Sequence, residues 1–593
     1  MLKKDQCWRC DTICSSPSPK IPCSRCGVAS YCSGECKHSD VFRHQMDCKT
    51  AALERKCSGC GKEKTGLKSC GSCGQVWYCD KECQKKSWPT HKVHFRLIST
   101  KTEELSRKLK FIIERQKGYT LVLPTVYYWG NTPAVDLINL PLNEGCHYSN
   151  PLSVLACGVG DPRNVVLSLS QLPGDYKEEL TFVLNDISAC VMARTVLMLY
   201  MLIKGGDQIA SSVTQMWYSL WLSEEDHQLV ISTLQELIQA SSLEELTRGT
   251  MKIEQDQLHK LAQVWRTWLD LSSRKGNWIT EARRRKFESD PGSKDGIDLY
   301  LKEIPKEHKK SASDWFANGI LLPKESRKGL TRENFTLTGN LDIFNRNEGP
   351  FSFTYMMQPS VIPFTSWDYK DVKQVDYSPS ILKMYSEYVG HVLKKCAMTL
   401  TTGQVKFHFL LCNCMEMTPF LPPDRKYDRL TTSNIADYVP LTSILDMCKL
   451  LLNTVNPSAV IITEFINWAY HANLNQKEQL LFLQMSESFS KKVLEDTQNP
   501  AIAYSSGRSA FMDYHNNSEE LVQFLRATLL VSEIPDRNRR RTWKSVADYN
   551  GLVARNFLRC QNQVFPAKWM QNCRRVTMMN GYERAMEWII NPK

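Results

Sequence analysis

The chain has 593 residues, of which 42% are hydrophobic and 10% aromatic, so about three or four domains with sizeable cores are expected. No secretory pattern opens it, because residues 1–6 are mostly polar and run straight into Cys7. The longest apolar stretch, Val191 to Ile203, is interrupted by Arg194 and falls short of a membrane span. We therefore expect a cytoplasmic protein, with the nucleus as the alternative, and no membrane partner.

Cysteines are concentrated near the N-terminus, where 14 of the 23 lie between Cys7 and Cys83. Dense C-x2-C pairs in a chain without a signal peptide indicate zinc rather than disulfides. Two series with matching intervals follow one another, which is an internal duplication. The candidate ligands are Cys7, Cys10, Cys23, Cys26, Cys32, Cys36, His44 and Cys48 in the first series, and Cys57, Cys60, Cys70, Cys73, Cys79, Cys83 and His91 in the second. Eight ligands hold two tetrahedral zinc ions, and such closed sites are structural.

The second series departs from the first at its end. The first ends H-x3-C, which would place a cysteine four residues after His91, but the chain has Phe95 there, preceded by His94. A short helix starting near Trp88 would put these positions within one turn, so His94 could replace the missing cysteine as a ligand. The alternative is a surface histidine beside a three-ligand site.

The two series resemble the MYND zinc finger through "YCSGEC" and "YCDKEC" and the histidine that follows each of them. The resemblance implies fingers at 1–50 and 51–98, each with two cross-braced zinc ions. The implied sites are Cys7, Cys10, Cys32 and Cys36; Cys23, Cys26, His44 and Cys48; Cys57, Cys60, Cys79 and Cys83; and Cys70, Cys73 and His91 with His94. MYND modules bind short proline-containing peptides or pack against an attached catalytic domain of the SET type. No SET-like motif follows, which favours an interaction module whose partner is a protein or a proline-containing peptide.

The net charge of +12 has to be corrected for these sites. Residues 1–100 hold 18 Lys and Arg against 9 Asp and Glu. Ligand thiols lose their protons, so thirteen thiolates with four zinc ions would lower this local excess from +9 to about +4. A nucleic-acid partner is therefore not expected.

From about residue 118 the pattern changes to strand–turn–helix units at 150–169 and 179–202. Such units predict parallel strands with helical crossovers, hence an α/β fold. Gly158 and Gly160 follow the first strand and Asp186 ends the second, which is the layout of a nucleotide or adenosyl site on a Rossmann-like sheet. A tight turn that needs small residues explains the glycine pair equally well.

The first part of this domain is predicted to span 118–205. Three- and four-residue apolar spacing then predicts a large helical insertion with a charged connector over 206–345, in which Arg283 to Arg285 form a solvated helix face. Strand-like segments at 405–417, 426–441 and 457–470 are expected to extend the same sheet, within a second part at 346–593 that includes a C-terminal extension. Asn413 and Asn434 would then lie at strand ends on the ligand-bearing edge.

Four segments resemble the Rossmann-type domain of the dynein axonemal assembly factor 3 family. They are "YYWGNTPAVDLINL", "LACGVGDPRNVV", "FVLNDISACVMARTVLML" and "YDRLTTSNIADYV". The resemblance covers roughly 118–205 and 350–470 and implies a fold similar to that of class I methyltransferases.

Two functions follow from these patterns. The first is a non-enzymatic zinc-binding interaction or assembly protein, in which the Rossmann-like domain is a scaffold. The second is an S-adenosylmethionine-dependent methyltransferase. In that hypothesis Gly158 and Gly160 approach the methionine part of the cofactor and Asp186 accepts from the ribose hydroxyls. Asn413 would lie near the adenine and Asn434 near the transferred methyl group. No catalytic residue is assigned, and the first function is favoured.

Overall fold

The computed structural model of this α/β protein describes only part of the chain. The described residues are 7, 21–25, 29–39, 56–64, 66–70, 76–117, 127–289, 291–340, 353–468, 491, 518–531, 548–555, 562–565, 576–577, 579 and 583–591. Their helices are α1 Gly34–Ser39, α2 Lys81–Lys117, α3 Arg163–Gln171, α4 Ala189–Gly205, α5 Ala210–Tyr218, α6 Glu224–Gln239, α7 Leu243–Leu246, α8 Gln255–Ser272, α9 Trp278–Glu288, α10 Pro291–Glu303, α11 Lys309–Asn318, α12 Tyr369–Val375, α13 Ile381–Leu400, α14 Leu441–Leu451 and α15 Ser518–Val531.

The strands of the described residues are mostly short. They are β1 Ile21–Pro22, β2 Ser30–Tyr31, β3 Lys68–Ser69, β4 Trp77–Tyr78, β5 Leu152–Cys157, β6 Leu180–Asp186, β7 Trp221–Ser223, β8 Met251–Ile253, β9 Leu330–Glu333, β10 Thr338–Asn340, β11 Phe353–Tyr355, β12 Val405–Leu411, β13 Arg429–Thr431, β14 Val460–Phe465, β15 Asp548–Tyr549, β16 Leu552–Ala554 and β17 Arg584–Ile590. Each cysteine-rich module contributes one two-stranded hairpin, β1 with β2 and β3 with β4.

A nine-stranded sheet forms the centre of the large domain as described, in the order β15-β16-β17-β14-β13-β5-β6-β12-β8. The six strands from β14 to β8 in this order are parallel, whereas β17 is antiparallel to β14. The chain passes from β5 to β6 on one side and later reaches β13 on the other side of β5. The strand order therefore reverses between β5 and β13, and in open parallel sheets the crevice for a ligand lies at such a reversal.

Two apolar layers cover the two faces of this sheet. Val154 and Phe182 belong to one layer, with residues of α3, α4 and α13. Their neighbours Leu155 and Val183 belong to the other, with residues of α14 and α15. Strands buried on both faces need apolar residues at successive positions, which explains why β5 and β6 show nearly continuous apolar runs in the sequence.

Helix α2 connects the second cysteine-rich module to this domain without interruption. It begins at Lys81 and contains Pro89, so the expected short helix starting near Trp88 is wrong in both its start and its length. Near the other end of α2, Leu105 and Leu109 are 5% and 4% exposed and belong to the apolar layer that contains α15. Burying a leucine side chain of this kind stabilises by about 1.5–3 kcal/mol.

The region 206–345 is not purely helical. Strand β8 forms the edge of the large sheet, and β7 pairs with β9. The charged stretch expected as a connector contains helices α9, α10 and α11.

The expected solvated face of α9 is only partly correct. Arg284 and Arg285 are exposed and pair with Glu281. Arg283 is instead 5% exposed, and its guanidinium donates to the carbonyl oxygen of Phe316 at 2.8 Å. Packing against α11 removes this arginine from water.

The stretch Ala189–Tyr218 is long and apolar enough to cross a membrane by length and composition, so the expectation that it falls short is wrong on that measure. In this structure 78% of its most apolar window is buried inside the protein. Arg194 within it is buried and donates to the carbonyl oxygens of Met216 and Trp217 at 2.7 and 2.9 Å. Such burial is typical of the core helix of a domain.

Candidate metal centres and the carboxyl edge of the sheet

Four cysteines of the second module converge on one point. The Sγ atoms of Cys57, Cys60, Cys79 and Cys83 all lie within 4.8 Å of one another, and those of Cys60 and Cys79 are 3.8 Å apart. Tetrahedral zinc with Zn–S bonds of about 2.3 Å separates its sulfur ligands by about 3.8 Å. The thiols present therefore fit zinc, and they would hold it with four sulfur ligands and no open position.

The local backbone explains this convergence. Cys57 and Cys60 lie in a turn beside β4, whereas Cys83 lies in the first turn of α2, where its N–H donates to Asp80 Oδ1 at 2.8 Å. Aspartate before a helix is a favourable N-cap, so it fixes the start of the helix that carries Cys83. A Cβ atom at Gly59 would lie 2.2 Å from the carbonyl oxygen of Cys83. The turn and the helix can approach this closely only because residue 59 is glycine.

The pKa values of the cysteine thiols in this cluster favour metal binding. Burial acts to raise the pKa of Cys57, but hydrogen bonds from the backbone N–H groups of Cys60, Cys79 and Gly59 outweigh it and lower that pKa to about 6. The neighbouring Cys57 sulfur raises the pKa of Cys83 to about 12 and raises that of Cys79 as well. The Cys57 thiolate thus forms near neutral pH, whereas Cys79 and Cys83 require a nearby cation before they lose their protons.

The first module shows the same arrangement with one fewer described ligand. The Sγ atoms of Cys7, Cys32 and Cys36 lie within 4.8 Å of one another, and those of Cys32 and Cys36 are 3.6 Å apart. Cys10, the fourth expected ligand, lies outside the described residues. The members of this cluster are those that the cross-braced arrangement implies.

The second zinc site of each module is described in part. Cys23 and Cys70 are buried, and their N–H groups donate to the carbonyl oxygens of Ala29 and Val76 at 2.9 and 2.7 Å. Four other expected ligands of these sites, Cys26, His44, Cys48 and Cys73, lie outside the described residues.

Phe95 and its neighbour His94 lie in different environments. Phe95 is buried in the apolar core of the second module together with Tyr78, so the position of the missing cysteine is occupied by a core side chain. His91 is buried on the same helix, edge-on to the Tyr78 ring. His94 is more exposed, and burial and then the proximity of His91 lower its pKa, which favours the neutral imidazole that zinc requires. The assignment of His94 as the eighth ligand stays a prediction.

The five residues predicted to bind a cofactor all lie at the carboxyl edge of the sheet. Gly158 and Gly160 follow β5 with φ of +64° and +61°, a backbone conformation that favours glycine. Asp186 ends β6, and Asn413 and Asn434 follow β12 and β13.

The polar groups of these residues are engaged within the protein. The Asp186 carboxylate accepts from the N–H groups of Gly160 and Ser188 at 3.0 and 2.9 Å, and burial raises its pKa. The side chain of Asn413 accepts from the Met415 N–H, and Asn434 Nδ2 donates to Asp437 at 3.3 Å. A ribose hydroxyl would have to compete for a buried carboxylate that two N–H groups already bind. These contacts give no support to S-adenosylmethionine, and the cofactor role of the five residues stays a prediction.

The residues after the glycine pair form an internal ion pair. Arg163 Nη1 donates to Asp161 Oδ1 at 2.6 Å, and Arg163 Nε donates to the Thr132 carbonyl oxygen at 3.0 Å. The second oxygen of Asp161 accepts from the Gly130 N–H at 3.0 Å. Asp161 and Arg163 therefore tie the loop after β5 to the segment around residue 130.

Two carboxylates at this edge were missed by the sequence interpretation. Glu464 lies near the end of β14, and Asp437 ends the short helical turn Ser433–Asp437 that follows β13. A single glutamate in the otherwise apolar run "VIITEF" is the feature that could have identified the first of them.

Comparison with known proteins assigns the modules. Residues 7–48 and 57–94 match the MYND finger, and residues 128–222 match a domain of unknown function, DUF4470. The N-lysine methyltransferases SMYD2 of Gallus gallus, Rattus norvegicus and Mus musculus are each 54% identical to this chain over 37 residues, which are 6% of this chain and 8% of the relative. No solved structure matches the chain.

The chain therefore carries tandem MYND zinc fingers and a DUF4470 domain. The similarity to the methyltransferases covers only the finger region, so it lends no support to a methyltransferase activity. A relationship to dynein axonemal assembly factor 3 is not shown.

Proposed function

We propose that this protein is a zinc-dependent interaction protein whose MYND fingers bind a short segment of a partner protein, while the α/β domain serves as a scaffold. The observation that carries the proposal is the four-sulfur cluster of the second finger. Four protein ligands complete the coordination of a tetrahedral zinc ion, so the metal has no position for a catalytic water. A zinc ion of this kind stabilises a surface and does no chemistry.

Trp88 is the contact residue that we assign to the partner. Its ring packs against His91 and Phe95, with centroid separations of 5.8 and 6.4 Å, and yet it remains 37% exposed. A partly exposed tryptophan packed against a predicted zinc ligand offers a flat apolar surface. Proline-containing segments bind such aromatic surfaces because their extended conformation is preformed. The favoured partner is therefore a proline-containing peptide.

The test is peptide binding by the zinc-loaded full-length protein. Fluorescence anisotropy would measure the affinity for labelled proline-containing peptides, each paired with a version in which alanine replaces proline. We expect binding that needs proline, that is lost on chelation of zinc, and that weakens roughly tenfold in Trp88→Ala. The matched control is Leu97→Ala, since Leu97 is exposed on the same helix about two turns before the domain contact at Leu105. Binding that survives both chelation and Trp88→Ala would overturn the proposal.

A methyltransferase is the second candidate, and the strand order favours it. The support is the set of parallel strands with a reversal between β5 and β13 and an antiparallel β17, because a nucleoside can bind at such a reversal. Calorimetry with S-adenosylmethionine on the folded protein separates the two candidates. We expect a flat titration, whereas saturable binding that disappears in Asp186→Asn would favour the enzyme. Gly158→Arg is less informative, because φ of +64° strains any side chain there.

A further inference from the structure

We infer that the carboxyl edge of the sheet holds a binding site for an organic cation, a primary amine or guanidinium group, between Glu464 and Asp437 at the mouth of the strand reversal. This site is independent of the fingers and of the peptide binding proposed above. The arrangement of acceptors and the burial of Glu464 and of the Asp437 Oδ1 atom carry the inference.

Glu464 is a buried acid without a hydrogen-bond partner among the described residues. Its side chain is 6% exposed, and it makes no hydrogen bond in the part of the chain that the structure describes. Burial raises its pKa to about 7, which the Arg163 charge opposes and the Asp437 charge reinforces. A buried carboxyl group without hydrogen bonds is costly to ionise, so natural proteins keep such a group where something else satisfies it.

Asp437 presents a second free acceptor. Its Oδ2 accepts from the N–H groups of Ile466 and Asn467 at 2.9 and 2.8 Å, which holds the carboxylate in one orientation. Its Oδ1 is buried and has no partner among the described residues. Burial raises the pKa of Asp437 to about 6. Asp437 thus provides one oriented acceptor, and Glu464 adds a second carboxyl group without a hydrogen bond among the described residues.

The nearby arginine cannot supply the missing charge. Arg163 is bound to Asp161 at 2.6 Å and to both the carbonyl and the hydroxyl oxygens of Thr132, at 3.0 and 3.1 Å. Its charge is therefore neutralised by Asp161, and Glu464 together with Asp437 remains in excess. A bound cation would allow both acids to ionise.

The surroundings favour an organic cation over a metal ion. Tyr438 follows Asp437 directly in the chain, and its hydroxyl accepts from Asn467 Nδ2 at 2.8 Å. Tyrosine rings attract ammonium and guanidinium groups through cation–π contacts. Only two acids meet here, and among the described residues the clusters of three or more metal-binding side chains are those of the fingers. A hard metal ion prefers six or more oxygen ligands.

Thermal unfolding of the zinc-loaded full-length protein near neutral pH tests this site. Millimolar cadaverine and agmatine are the probes, N-acetyl-lysine methylamide represents a peptide-borne amine, and pentanol and sodium chloride control for the alkyl chain and for ionic strength. We expect the amines to raise Tm by at least about 1 °C and the controls to leave it unchanged. A larger Tm shift with the free amines would indicate a small-molecule ligand, whereas a larger Tm shift with the lysine amide would indicate a lysine side chain of a peptide.

The Asp437→Asn/Glu464→Gln variant should lose this shift, while Glu416→Gln, which changes an exposed acid at the same edge, should keep it. Glu464→Gln alone serves if the double variant does not fold. The inference is overturned if amines leave the wild-type Tm unchanged, if they shift the double variant equally, or if magnesium or calcium produces the larger shift.

Discussion

His91 and Leu105 lie fourteen residues apart on one uninterrupted helix, His91 buried in the second finger and Leu105 buried in a core layer of the α/β domain. At 1.5 Å per residue the helix separates them by about 21 Å. A zinc-ligand helix that also packs into the domain core couples the two units mechanically. The second finger is therefore presented at a fixed distance from the domain rather than on a loose linker.

The first prediction concerns this coupling. Leu105→Ala should destabilise the α/β domain by about 2–5 kcal/mol, because it removes a buried side chain between α2 and α15. Leu97→Ala, at an exposed position of α2, should change stability by less than about 0.5 kcal/mol. Chemical denaturation followed by circular dichroism measures both. Equal effects of the two substitutions would contradict the contact.

The second prediction concerns the eighth ligand of the second finger. If His94 binds zinc beside His91, the wild-type protein contains four zinc ions and His94→Ala retains three after dialysis. His38→Ala removes an exposed histidine from the helix of the first finger and should retain all four. Mass spectrometry measures the number of zinc ions bound to each variant. Full zinc occupancy in His94→Ala would leave Phe95 in the core and His94 as a surface residue.

The third prediction concerns Gly59. An added methyl group would lie 2.2 Å from the carbonyl oxygen of Cys83, so Gly59→Ala must push the turn away from α2 and separate the two ligand pairs. We expect this variant to release zinc to a colorimetric chelator at least tenfold faster than the wild type, which corresponds to about 1.4 kcal/mol. Gly34→Ala is the control, because a Cβ atom there meets nothing within 4 Å. Unchanged release from Gly59→Ala would show that the turn can move without cost.

The fourth prediction is a pH dependence. The pKa of Glu464 is raised to about 7 in the folded protein, so the folded state holds a proton that the unfolded state releases above its ordinary pKa of about 4.5. Its contribution is fully present below pH 4.5 and is lost as pH rises through 7. The loss amounts to at most about 3 kcal/mol. The groups that face it are Arg163, which opposes the shift, and Asp437, which reinforces it.

Glu464→Gln should therefore be more stable than the wild type at pH 8 by a larger margin than at pH 5. Denaturant midpoints at the two pH values measure the difference, and the comparison with wild type at each pH cancels the loss of zinc from the fingers in acid. Glu416→Gln, an exposed carboxyl at the same edge, should show no such difference. A margin independent of pH would mean that Glu464 is ionised in the folded protein at both values.

The sequence alone determined the features that depend on local spacing. The cysteine intervals predicted two zinc ions per module, and the described members of two sites, Cys57 with its partners and Cys7 with its partners, converge in the grouping that the MYND resemblance implied. Apolar runs before Gly158 and Asp186 likewise predicted strands, because a strand buried on both faces needs apolar residues at successive positions.

Only the tertiary structure decided what depends on contacts between distant segments. Arg283 lies in a run of arginines, yet packing against α11 buries it while its neighbours stay exposed. Helix α2 packs on α15, more than four hundred residues away in the chain, and no local pattern encodes this contact. Glu464 and Asp437 lie near each other because β13 and β14 are adjacent in the sheet, and burial raises the pKa of both acids. The physical reason is that desolvation and pairing act over distances in space, whereas the sequence displays only distances along the chain.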